Sequence, residues 1–168
     1  MAKKKLPQEK IDNRIDSLTH DGRGVSHVDQ KVVFIDEALP GETVDFIYTD
    51  IRRDFAEGKV VQLHTRSPQR VEAACPHYGV CGGCSFQHVA DDQQISIKEG
   101  LLQEQFRRIG KVDIPEIWSA LTGPHWGYRR KARMGVKFVA KKNRVLVGFR
   151  ERRNPFLAEI DSCKVMHP

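Results

Sequence analysis

The sequence predicts a mainly β chain with one long helix, an α+β protein built in two parts. Three observations carry this. Short apolar stretches bounded by Gly, Pro and Asp fill residues 11–66, a helical pattern follows from Asp91 to Ile109, and two-residue alternation returns after Pro124. Residues 1–10 read as a flexible basic tail, 11–66 as a first domain and 67–168 as a second region.

In the first domain, Ile11 to Leu18 is a candidate strand that ends at Asp21-Gly22-Arg23-Gly24, residue types that accept positive φ. Val25 to Val28 and Val32 to Ile35 are close enough for a hairpin across Asp29-Gln30-Lys31. Leu39-Pro40-Gly41-Glu42 makes the next turn, and Thr43 to Tyr48 and Gly58 to Leu63 complete the set. Five short strands in about fifty residues imply a small closed or nearly closed barrel of OB type.

The second region opens on a polar connector, Ser67 to Ala74, and a compact Gly-rich stretch, Cys75 to Cys84. The helix expected at 91–109 starts at Asp91, a possible cap, and aligns Ile95, Leu102, Phe106 and Ile109 on one face. Its simplest role is to cover a core. Gly110 stands where a helix end favours a left-handed residue. From Tyr128 to Val139 a strand is expected. One face carries Tyr128, Arg130, Ala132, Met134, Val136 and Phe138, and the other carries Arg129, Lys131, Arg133, Gly135 and Lys137. Trp126, Tyr128 and Phe149 are expected in the core. Val145, Val147 and Phe149 alternate likewise, with Lys141-Lys142-Asn143 as the hairpin loop.

The formal net charge is +6, which favours a polyanionic partner because each phosphate neutralised releases a counterion. The excess is concentrated between Tyr128 and Arg153, where eleven Lys and Arg face the single acid Glu151. Arg129, Arg130, Lys131, Arg133 and Lys137 are the candidate phosphate contacts. No apolar run has membrane-span length and no apolar stretch follows the basic N-terminus, so a cytoplasmic protein without a membrane partner is expected.

Cys75, Cys81, Cys84 and Cys163 form C-x5-C-x2-C plus one remote thiol. Disulfides are disfavoured in the cytosol. Structural zinc usually takes two close cysteine pairs, whereas three local cysteines and a distant fourth suit an iron–sulfur cluster of cubane type. The cluster is the preferred reading and zinc the alternative. His77 and His88 flank the set, and either could replace a thiolate, but four cysteines already suffice. No nucleotide fingerprint, zinc-hydrolase motif or nucleophile–base spacing stands out. If all four cysteines are ligands, no thiol remains as a nucleophile, so no catalytic residue is assigned.

Three stretches carry a resemblance to a known family: Leu18-Thr19-His20-Asp21-Gly22-Arg23-Gly24-Val25 with Leu39-Pro40-Gly41-Glu42; the cysteine set with Gln87-His88 and Asp161-Ser162-Cys163; and Trp126-Gly127-Tyr128-Arg129-Arg130-Lys131-Ala132-Arg133 with Val147-Gly148-Phe149-Arg150. In these the chain resembles the N-terminal part of bacterial RNA uracil-C5 methyltransferases, specifically the iron–sulfur kind acting on 23S ribosomal RNA with a TRAM domain. The resemblance implies a TRAM barrel, a [4Fe-4S] cluster on the four cysteines, and ribosomal RNA against the basic residues. It also implies methyl transfer from S-adenosylmethionine in the full-length protein, whose cofactor-binding catalytic domain would lie after Pro168. The chain alone is expected to be a monomeric, inactive RNA-binding portion.

Overall fold

The first strand path bends at Ile15, whose side chain is 1% exposed. In the structure, a computed structural model, Leu6, Pro7 and residues 9–168 are described; residues 1–5 and 8 of the expected tail lie outside them. The bend divides the path into β1 (Ile11–Arg14) and β2 (Ser17–Leu18). Next come β3 (Gly24–Val28), β4 (Lys31–Asp36), β5 (Thr43–Ile51) and β6 (Phe55–Thr65). Asp29 and Gln30 adopt φ of 47° and 66°, the pair of left-handed residues that a two-residue hairpin turn needs to match strand twist. The turn closes β3 on β4 in antiparallel register.

The sheet order is β1-β5-β6-β4-β3-β2, with β4 and β6 parallel and the other pairs antiparallel. Because β1 and β2 are halves of one path, the two ends of the sheet meet, and the barrel has no open edge there. One backbone and one side-chain bond seal the seam: Asp16 N donates to Val25 O at 2.8 Å, and Ser26 Oγ to Arg14 O at 2.7 Å. The core is Ile15, Val33, Ile35, Ala38, Val44, Phe46 and Ala56. Gly58 lies under Phe46, where a Cβ would come within 2.6 Å of the ring. The parallel β4–β6 pair was not legible from strand patterns, which say nothing of partners far apart in sequence.

The chain divides into two compact units at Arg70/Val71. In the second, α1 (Asp91–Gln105) runs into a wider π-type turn, Phe106–Gly110. Ala90 caps the helix without a side-chain bond, so Asp91 is a first-turn acid and not the cap; Lys111, not Gly110, takes the left-handed conformation. No residue of α1 is buried, and Leu102, Phe106 and Ile109 are exposed. The expectation that this helix covers a core is therefore corrected: Ile95 and Leu101 are only half-buried, and the rest of the apolar stripe is open.

β7 (Gly135–Val139) and β8 (Arg144–Gly148) pair antiparallel across a 3-10 turn, Ala140–Lys142, with Asn143 left-handed. The strand expected from Tyr128 begins only at Gly135. Residues 128–134 are irregular because Arg129 bonds instead to the C-terminal segment, its N donating to Val165 O and its O accepting from His167 N, both at 3.0 Å. The strip 156–160 crosses the inner face of the hairpin, and a Cβ on Gly148 would lie 2.4 Å from Ala158 O. No helix among the described residues is long and apolar enough to cross a membrane.

Candidate functional site

The stretch Cys75–Cys84 winds tightly on its own backbone. Tyr78 N donates to Cys75 O at 3.1 Å, Cys81 N to His77 O at 2.8 Å, and Gly79 sits at φ 84°. Gln87 Oε1 accepts from Cys75 N at 3.1 Å. The loop also pairs with the strand path after β8: Gly82 N donates to Arg150 O at 2.9 Å and Arg152 N to Val80 O at 2.8 Å. A side chain at Gly82 would press on Arg150 O at 3.0 Å, so this approach needs glycine there.

The fourth cysteine arrives from the far end of the sequence. His77 Nε2 and Asp161 Oδ1 lie 2.6 Å apart, tying the cysteine loop to the segment that bears Cys163. Cys75, Cys81, Cys84 and Cys163 line one cavity, with Gly83, Phe149 and Ile160 among its other walls. All four thiols are free and half-buried. Burial pushes the Cys81 thiol above its ordinary value, and the neighbouring Cys84, Cys163 and Cys75 sulfurs push it further, against one backbone bond from Gly83. Four negative sulfurs in this space would repel one another, so deprotonation requires a cationic centre between them. Among the described residues no three of these sulfurs lie within 4.8 Å of one another.

Two side chains behind the cysteine loop, His88 and Arg152, hold it in place. His88 is 3% exposed, and its Nδ1 lies 2.5 Å from Tyr78 Oη, which also donates to Ser85 O at 2.8 Å. Arg152 lies over the Tyr78 ring at 5.6 Å and donates from Nη2 to Cys84 O at 2.8 Å. One cation of the basic run thus braces the cysteine loop. No sequence spacing signals it, because the contact joins residues 68 apart.

The basic residues separate into groups. Arg130, Lys131, Arg133 and Lys137 are exposed, whereas Arg129 is half-buried and contributes to the cysteine cavity. Lys142 and Arg144 both pair with Glu159. The expected single strand face of cations is replaced by an irregular exposed stretch, 130–133, and one strand residue, Lys137. Trp126 and Tyr128 are 37% and 53% exposed, correcting their expected core placement; Phe149 is half-buried beside the cysteines.

The barrel carries one cluster that the sequence did not suggest. Asp12, Asp45 and His64 bring their polar atoms together, with His64 Nε2 2.9 Å from Asp45 Oδ1. Asp12 and Asp45 face each other across β1 and β5, and His64 occupies the bulge of β6 opposite Thr43 and Val44. The Asp45 hydrogen bond raises the His64 pKa above 6.5. The stabilisation this provides is complete below the unfolded histidine pKa and is lost as pH rises through the folded value. The melting temperature of the wild type should therefore fall relative to His64→Gln as pH rises from about 6 to 8; parallel curves would show that the pair contributes nothing.

With this geometry established, the class follows. Residues 8–61 match the TRAM domain family, so the first unit is a TRAM barrel. Over nearly its whole length the chain is homologous to the N-terminal part of the 23S rRNA (uracil-C5)-methyltransferases. It is 54% identical over 99% of its length to 23S rRNA (uracil(1939)-C(5))-methyltransferase RlmD of Methylococcus capsulatus. It is also 51% identical over 99% of its length to the Nitrosococcus oceani protein of that name. It spans 38% and 37% of those relatives. The solved tRNA (uracil-54, C5)-methyltransferase of Pyrococcus abyssi, in complex with S-adenosyl-L-homocysteine, shares the fold with TM-score 0.53 and 21% identity, covering 94% of this chain and 33% of that one.

Proposed function

We propose that this chain is the RNA-recognition portion of an S-adenosylmethionine-dependent enzyme that makes 5-methyluridine in 23S ribosomal RNA, and that Cys75, Cys81, Cys84 and Cys163 hold a [4Fe-4S] cluster. The observation that carries the reading is the meeting of Cys163 with the Cys75–Cys84 loop in one cavity, in a chain homologous to named rRNA methyltransferases. The residues fit the group: four free thiols line one cavity, and Gly83, where a Cβ would lie 3.4 Å from Cys81 Sγ, leaves that sulfur uncovered. The cluster would supply a structural link, because it would join the loop before α1 to the segment after β8. S-adenosylmethionine, the nucleophile and the base belong, on this reading, to the additional length that the relatives possess.

RNA binding rests on the barrel and on the exposed cations. Small OB-like barrels bind single strands through exposed strands, loops and cations. Arg130, Lys131, Arg133 and Lys137 remain accessible for phosphate contacts, while exposed Trp126 and Tyr128 offer rings on which unpaired bases stack. Arg129, initially grouped with them, serves better as a wall of the cysteine cavity.

Two measurements test the proposal. The chain prepared without air should be brown, with iron and inorganic sulfide in equal amounts; zinc in their place would replace the cluster by a structural zinc site. Replacing Arg130, Lys131 and Arg133 together by Ala should weaken binding of a single-stranded 23S fragment. It should also flatten the slope of log affinity against log salt by about 2, since each single-strand phosphate contact contributes about 0.7. An unchanged slope would remove this stretch from the RNA interface.

A further inference from the structure

After β8 the chain makes a second, smaller hairpin. Ala158 N donates to Phe149 O and Glu151 N to Phe156 O, both at 2.8 Å, and Arg150 bridges to Leu157. Residues 152–155 form its tip, where Arg153 takes a φ of 62°. That conformation is uncommon for a residue with a side chain and persists where neighbouring structure fixes it. The cysteine loop does so here. Gly82 N donates to Arg150 O at 2.9 Å, Arg152 N to Val80 O at 2.8 Å and Arg152 Nη2 to Cys84 O at 2.8 Å, while the Arg152 guanidinium lies over Tyr78. Across the tip, Asn154 Nδ2 donates to Glu151 Oε2 at 3.3 Å and Arg150 Nη1 to Pro155 O at 3.4 Å.

Phe156 stands on this pinned hairpin and is 62% exposed. Single exposed apolar residues are ordinary. A phenyl ring on a backbone fixed from both sides is a different matter, because it loses little freedom when a partner stacks on it. Charge selects the partner. Arg150 and Arg153 are exposed on the same small hairpin, and its acid, Glu151, is engaged by Asn154. A polyanion fits such a set, and unpaired RNA bases stack on aromatic side chains. A second copy of this chain would bring the same cations against it, which is repulsive.

We propose that Phe156 is a stacking platform for an unpaired base, with the Arg153 guanidinium on an adjoining phosphate. The contact lies on a different element from the stretch 130–133, and it rests on the RNA reading above. The cysteine loop holds the ring in position for it.

The test measures binding of the single-stranded 23S fragment by the chain prepared without air. Phe156→Ala should weaken the affinity about tenfold and leave the salt slope unchanged, because no charge is removed. Phe156→Trp should bind at least as tightly as the wild type, and Phe156→Leu, apolar but without a π face, should bind like the Ala variant. Metal content and melting temperature should stay at wild-type values in all three, since the ring is exposed. Arg153→Gln should flatten the slope by about 0.7. Wild-type affinity in Phe156→Ala overturns the proposal and leaves the RNA reading intact; a wild type that binds no RNA sinks both. Wild-type affinity in Phe156→Leu would make the contact merely apolar, and an unchanged slope in Arg153→Gln would remove the phosphate contact; either overturns the pair as proposed. A loss of affinity accompanied by a loss of metal would make Phe156 a structural residue and overturns it as well.

Discussion

Cys163→Ser is expected to strip iron and sulfide together from the purified chain and to loosen the segment around it. Cys163 is the one thiol that reaches the cavity from outside the Cys75–Cys84 loop. Its neighbours hold the stretch before β7: Gly127 N donates to Lys164 O at 2.9 Å and Arg129 N to Val165 O at 3.0 Å. If the cluster binds there, its loss removes the strongest link between these parts. Structural metal binding in small domains is worth roughly 10 kcal/mol, so the melting transition of the second unit should drop sharply or disappear. His77→Ala is the control. It cuts the 2.6 Å contact to Asp161, whose carboxylate is 88% exposed, and leaves all four thiols in place, so the iron content should survive. Full iron in Cys163→Ser would take that residue out of the ligand set, and equal losses in both variants would mean that segment docking, and not the sulfur, holds the metal.

What the sequence made legible was local. The hairpin follows from the closeness of its two apolar stretches, and the loop expected at Asp29-Gln30-Lys31 is a two-residue turn with Lys31 already in β4. The spacing of Cys75, Cys81 and Cys84 marks a local set of thiols, and Cys163 lines the same cavity. Three features were not legible, each decided by distant partners. Arg129 looks like a strand residue by alternation, yet the C-terminal segment takes its backbone. Arg152 looks like one more surface cation, yet Tyr78 and Cys84 O take its guanidinium. The apolar stripe of α1 looks like half of a core, yet none of its residues is buried. Alternation and helical period report which residues want cover; they do not say what covers them.

Glu42→Gln is expected to destabilise the barrel by about 3 kcal/mol or more. Glu42 is fully buried and accepts from Leu39 N at 2.8 Å, Ser67 N at 3.1 Å, and Arg70 Nε and Nη2 at 2.5 and 2.7 Å. Arg70, 14% exposed, also donates to Glu37 O at 2.6 Å. One carboxylate thus ties the 39–42 turn to the chain leaving β6. The amide would leave the Arg70 charge without its counterion, and an uncompensated charge in a buried site is costly. Burial alone would raise the Glu42 pKa, but Arg70 and the two amides outweigh it and hold the carboxyl below its ordinary 4.5. The stabilisation is therefore present above the unfolded glutamate value and lost as pH falls through the folded one. Denaturant unfolding should give a lower midpoint for Glu42→Gln at neutral pH and a shallower loss of stability on acidification than in the wild type. Glu42→Gln combined with Arg70→Met should recover part of the loss, because the unpaired cation is gone while the stem still packs. A double variant as weak as the sum of the two singles would mean that the charges are not coupled and that the carboxylate acts only through the two backbone amides.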